Sequence, residues 1–118
     1  MDSITLKLAR PLLGTVVQVT MDRPLGTLHP KHGFIYEENY GYIEGIVAPD
    51  GEALDAYFLG ASEALQNARG MCVAIIHRLT DDDDKLVVVP EGTSISDEEI
   101  RTRTNFQEKW FDSEIIRI

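Results

Sequence analysis

The sequence predicts a small, mostly β barrel with one α-helix packed on it. Three observations predict this. Short runs that alternate in polarity or are rich in β-branched residues recur along the chain, separated by turn signals. One clear helix start stands late in the sequence. The 118 residues, 43% hydrophobic and 26% charged, are enough for one core and one domain spanning residues 1–118.

Each element has its own reason. Ile4–Leu8 alternates apolar and polar residues and reads as a strand, and Gly14–Met21 (GTVVQVTM) is β-branched and reads as another. Arg23–Tyr36 holds two prolines, two glycines and two histidines and reads as a long irregular loop. Tyr40–Ala48 and Ala56–Leu59 flank Pro49-Asp50-Gly51, a turn signal that predicts a hairpin. Met71–His77 and Lys85–Val89 are two more strands, joined by the acidic loop Thr80–Asp84. Ser96, followed by Asp97, Glu98 and Glu99, opens a helix as a capping box. Ile100, Phe106, Trp110 and Phe111 then share one broad face, which predicts a helix over 97–111. Trp110 is expected to pack that helix on the barrel, with Leu54 and Phe58 buried beside the acidic turn.

Charge and cysteine content exclude several classes. Twenty acidic against eleven basic residues give a formal charge of −9. That balance excludes a nucleic-acid backbone binder and suits divalent cations, which take carboxylate oxygens. One cysteine, Cys72, excludes an internal disulfide framework and a cysteine-based zinc cage, and its apolar setting predicts an inert buried thiol. His29, His32 and His77 lack zinc-ligand spacing. No apolar stretch approaches the length of a membrane span and the N-terminus lacks a signal peptide's apolar centre, so the expected compartment is the cytoplasm. Neither common phosphate-binding glycine loop nor a serine nucleophile elbow is present.

The candidate site lies in acidic turns. Asp50-Gly51-Glu52-Ala53-Leu54-Asp55 places three carboxylates within six residues, either as a solvated turn or as a cradle for Mg²⁺ or Mn²⁺. Asp81-Asp82-Asp83-Asp84-Lys85 reads as a solvated loop or as a second set of ligands beside the first. Tyr36, Tyr40 and Tyr42 hold packing positions or donate hydroxyls to an anionic ligand. Arg23, Lys31, Arg78 and Lys85 neighbour these elements and are either surface cations or contacts for phosphate.

In this order, Asn39-Tyr40-Gly41-Tyr42-Ile43, Asp50–Asp55, and Asp81–Lys85 running into LVVVP resemble the classical soluble inorganic pyrophosphatases over about Val19–Phe111. The resemblance implies a closed five-stranded, OB-like barrel with an appended helix, Mg²⁺ as cofactor, and a small phosphorylated substrate. It implies metal ligation by Asp50, Asp55, Asp81 and Asp83, and a catalytic role for Glu52 in activating the attacking water. It places Arg23, Tyr36, Tyr40 and Lys85 at phosphate-contacting positions. Related enzymes are commonly oligomers, so it also implies a homo-oligomer. The chain departs from the family's pattern where Glu52 and Ala53 replace aspartate and proline, and where Trp110-Phe111 replaces a late Tyr-Lys phosphate pair. Ile4–Met21 offers none of the family's N-terminal glutamates. The leading expectation is Mg²⁺-dependent hydrolysis of pyrophosphate or a related phosphoanhydride. The alternatives are a pyrophosphatase-like domain that binds metal or a phosphorylated ligand with little or no turnover, and a structural acidic barrel.

Overall fold

The computed structural model describes residues 4–47 and 51–118. Helix α1 (Ile4–Ala9) and a 3₁₀ turn (Arg10–Leu12) precede strands β1 (Val16–Arg23), β2 (Asn39–Val47), β3 (Ala53–Phe58), β4 (Asn67–Arg78) and β5 (Lys85–Val89). Helix α2 (Asp97–Glu108) and strand β6 (Ser113–Ile116) complete the chain's order. The sheet runs β1-β2-β3-β5-β4-β6, and pairing of β1 with β4 closes the first five strands into a barrel. The pairings are antiparallel except β3–β5, which runs parallel and sets Asp55 beside Lys85. The mainly β barrel with a late helix is therefore as the sequence predicts, with β6 as an added edge strand.

The strand period of two sorts side chains onto two cores. Leu54, Ala56 and Phe58 of β3 point into the barrel with Leu86 and Val88 of β5 and Val17, Val19 and Met21 of β1. Tyr57, Val87 and Val89 point outward, where Ile100 and Phe106 of α2 cover them. All five residues of β5 are thus buried. This accounts for a continuous apolar run, because both faces of the strand are covered. Leu54 and Phe58 are buried as expected. Gly41 lets β1 and β2 approach closely, since a Cβ there would collide with the Thr20 carbonyl. Cys72 is buried, and burial pushes its thiol up to about 11.

Three readings of the local sequence are corrected. Ile4–Leu8 is a helix, not a strand. Leu6 and Ala9, three residues apart, meet the interior on one helical face. Its first turn is capped from a distance, since Asp82 Oδ1 accepts from Thr5 N (3.1 Å) and Thr5 Oγ1 (2.8 Å). Helix α2 ends at Glu108, so Trp110 and Phe111 lie in the following turn. Trp110 does not dock the helix on the barrel. It is 57% exposed, and its ring meets Phe34 at 5.5 Å. Trp110→Ala is accordingly expected to cost about 1 kcal/mol or less in thermal or urea melting, the range of an exposed side chain. A cost of 3 kcal/mol or more would restore the docking role.

Among the described residues, no helix is long and apolar enough to cross a membrane.

Candidate functional site

A cleft of about 480 Å³ opens on the outer face of the barrel, between β1, β3 and β5, the loop 24–36, and the end of α2. Strand alternation aims its charged wall. Asp55 shares the outward face of β3 with buried Tyr57, and Lys85 is its parallel neighbour on β5. Asp55, Asp83, Lys85, Arg23, Tyr36 and Tyr40 all line this one cleft.

Their geometry is tight. The Lys85 ammonium, 3% exposed, donates to Asp55 Oδ2 at 2.8 Å and to Asp83 Oδ1 at 2.7 Å. Tyr40 Oη donates to the same Asp55 oxygen at 3.0 Å. Burial, reinforced by the Asp55 charge, pushes the Tyr40 hydroxyl well above its ordinary pKa, which keeps it a donor. Arg23 donates to Tyr36 Oη at 3.3 Å, and Tyr36 Oη donates to Gln107 at 2.7 Å.

Other residues that sequence reasoning assigned lie elsewhere. Asp50 is outside the described residues. Glu52 does not line the cleft. It borders an adjoining hollow of about 290 Å³ with Asp82 and Asp84, in which Asp55 and Asp83 form the shared wall. Asp81 pairs with Arg78 at 3.5 Å instead of facing the cleft. Asp84 is buried, accepting from the Arg78 amide at 2.9 Å and pairing with His77 Nδ1 at 3.0 Å.

The cleft also contains residues the sequence reading left out. Asp22 lies in its wall, where burial, and after it the Asp55 charge, raises the carboxyl's pKa. The available signal was its position beside Arg23, one residue out of step with inward Met21. Arg78, which the sequence offers as a surface cation or a phosphate contact, anchors a buried network. Its Nε and Nη2 donate to Glu108 at 3.1 and 2.9 Å, and its guanidinium lies 3.6 Å from the Phe111 ring centroid. Tyr57 Oη donates to Glu108 at 2.6 Å, and Gln107 Nε2 donates to Tyr57 at 2.6 Å. Burial alone would weaken the Arg78 charge, but the Glu108 contacts outweigh it and its pKa is raised. Glu108 had a legible signal, since Ile100, Thr104 and Glu108 repeat every four residues along one buried helical stripe.

Among the described residues, no buried side-chain nitrogen or oxygen lacks a partner, and no group of three His, Cys, Asp or Glu could hold a metal ion. Lys85 pairs Asp55 and Asp83, and Arg78 pairs Asp81, Asp83 and Glu108. Although burial opposes ionisation of Asp83, Lys85 and then Arg78 hold its pKa below the ordinary value. A depressed carboxyl pKa stabilises the fold above the unfolded value of about 3.9, and that contribution disappears as pH falls through the folded value. Asp83→Asn should therefore lower the melting temperature at pH 7 in metal-free buffer and lose less on acidification from pH 5 to 3. Parallel acid profiles for the two proteins would contradict the pairing.

No protein-family model matches this chain, and no curated protein matches it. Solved structures do. The inorganic pyrophosphatase of Ehrlichia chaffeensis superposes with a TM-score of 0.68 at 14% identity, over 90% of this chain and 88% of its own. That of Coxiella burnetii gives 0.57 at 18% identity, over 86% of this chain and 84% of its own. The enzyme of Helicobacter pylori gives 0.60 at 15% identity, over 86% and 82%. At such identities the likeness is one of architecture: this chain has the fold of the inorganic pyrophosphatases.

Proposed function

We propose that the chain hydrolyses inorganic pyrophosphate, or a related phosphoanhydride, with Mg²⁺ or Mn²⁺ as cofactor. One observation carries this reading. Two carboxylates, Asp55 and Asp83, converge on a single cation, the Lys85 ammonium, at 2.8 and 2.7 Å in the wall of a cleft that also presents Arg23 and Tyr40. That donor set already holds a hard cation. Two carboxylates with the remaining positions left to phosphate oxygens and water is the usual arrangement for Mg²⁺. Asp55 and Asp83 would hold the metal, with Asp50 as the further ligand that the family resemblance implies. A metal held there would supply a more acidic coordinated water and neutralise phosphoryl charge.

The protein's own groups have definite tasks in this reading. Lys85, released from its two carboxylates, donates to the phosphate, and Tyr40 donates beside it. Arg23, which donates to Tyr36 Oη in the same cleft lining, steadies the far phosphate. Glu52 takes the proton of a water on its side of Asp55 and Asp83. Its place outside the cleft, together with Trp110-Phe111 where the family carries phosphate donors, favours a second reading in which the ligand is bound without turnover.

Phosphate release from pyrophosphate with and without Mg²⁺ separates the readings. The expected result is Mg²⁺-dependent release that falls about 100-fold or more in Glu52→Gln, the usual scale for a lost general base. Stabilisation by Mg²⁺ and pyrophosphate without release selects the binder. Neither release nor a melting shift rejects both.

A further inference from the structure

Two parts of the cleft lining differ in chemistry. Arg23, Asp55, Asp83 and Lys85 form the charged wall already described. Another part of the lining is aromatic, built from His29, His32 and Phe34 of the long loop and from Trp110 after α2. Phe34 meets Trp110 at 5.5 Å and His29 at 4.8 Å, while His32 lies 6.5 Å from Trp110. Trp110, 57% exposed, is the chain's one tryptophan. The Lys109 ammonium stands 4.7 Å from the Trp110 ring centroid.

Pyrophosphate has no apolar surface to place on such a wall. A cleft of about 480 Å³ lies in the range of about 300–1,000 Å³ that accommodates larger organic ligands. A ligand matched to both parts carries a phosphoanhydride at one end and a planar aromatic group at the other. We infer that this cleft takes a nucleoside diphosphate, its base on Trp110, His32 and Phe34 and its phosphates toward Lys85 and Arg23. This rests on the charged wall being a phosphoanhydride site and names its substrate class. The reaction is hydrolysis: water bonds to the terminal phosphorus and the bridging P–O bond breaks. The electron pair leaves with the nucleoside monophosphate, and orthophosphate departs with the water's oxygen while the water's proton passes to solvent. Stacking on an exposed aromatic is tolerant of base identity, because every base has a π-face.

Because Trp110 is the sole tryptophan, its fluorescence reports ligand directly. Titration with Mg²⁺-ADP is expected to quench that emission saturably, whereas Mg²⁺-pyrophosphate leaves it unchanged. By calorimetry, Trp110→Ala should lower the ratio of ADP to pyrophosphate affinity about 5- to 100-fold, the scale of one lost stacking partner, and Trp110→Phe should restore most of it. Melting curves verify that both variants are folded. Pyrophosphate binding or cleavage with no ADP binding overturns the inference while leaving the phosphoanhydride reading intact. Equal weakening of both ligands by Trp110→Ala overturns it also. Selective ADP binding at Trp110 with no phosphate released from either compound upholds the ligand class and removes the hydrolase.

Discussion

Replacement of Glu108 by alanine is expected to destabilise the protein by about 3–5 kcal/mol, the cost of leaving a buried charge without its partner. Glu108 is 8% exposed and Arg78 5%, and the carboxylate accepts from both Arg78 Nε and Nη2 and from Tyr57. Its loss strands the guanidinium against the Phe111 ring, leaving Asp81 and Asp83 at 3.5 and 3.4 Å as its acidic partners among the described residues. It also removes the acceptor of the Tyr57 hydroxyl, in a residue that is fully buried. In a chain of this size the melting temperature should drop on the order of 10–20 °C. Exchanging both partners for apolar residues of similar volume should recover much of the loss, because the desolvation cost then disappears with the charges. If urea unfolding of Glu108→Ala shows less than about 1 kcal/mol, the acidic loop is sufficient as the counter-charge to Arg78.

If the proposed hydrolysis holds, Asp55→Asn is expected to lower metal-dependent turnover by about 100-fold or more. A metal clamp supplies several kcal/mol to the transition state, and each 1.36 kcal/mol is tenfold in rate. Asparagine keeps the shape of Asp55 and removes its charge. In the metal-free protein it also leaves Lys85 with Asp83 as its remaining charged partner, so the baseline melting temperature falls too. The decisive reading is therefore the increment in melting temperature on adding Mg²⁺, which reports binding to the folded state. That increment should vanish in Asp55→Asn and persist in Trp110→Ala. An undiminished increment would remove Asp55 from the metal site.

Residue type and local period carried much of this in the open sequence. The β-branched runs of β1, β4 and β5 and the Ser96 start of α2, whose Oγ accepts from the Glu99 amide at 3.1 Å, were legible because their local preferences agree with their tertiary setting. Ile4–Leu8 misled because apolar residues at alternate positions also place Leu6 on a helical face with Ala9. Strand β6 went unseen because four residues containing a serine and a glutamate carry little strand signal away from the β4 edge they pair with.

Sequence by itself determined the candidate residues for chemistry, in an acidic turn, an acidic loop ending in Lys85 and a tyrosine cluster, and an order of elements that fits a β barrel with a late helix. Tertiary structure decided their relations. Only the parallel register of β3 and β5 makes Asp55 and Lys85 neighbours, thirty residues apart in the chain. Only the docking of α2 brings Glu108 to Arg78 and leaves Trp110 exposed in a cleft wall. The physical reason is that hydrophobic periodicity states which face of an element is buried, and does not state which distant element will cover it. Ion pairs and clefts are made by that second choice.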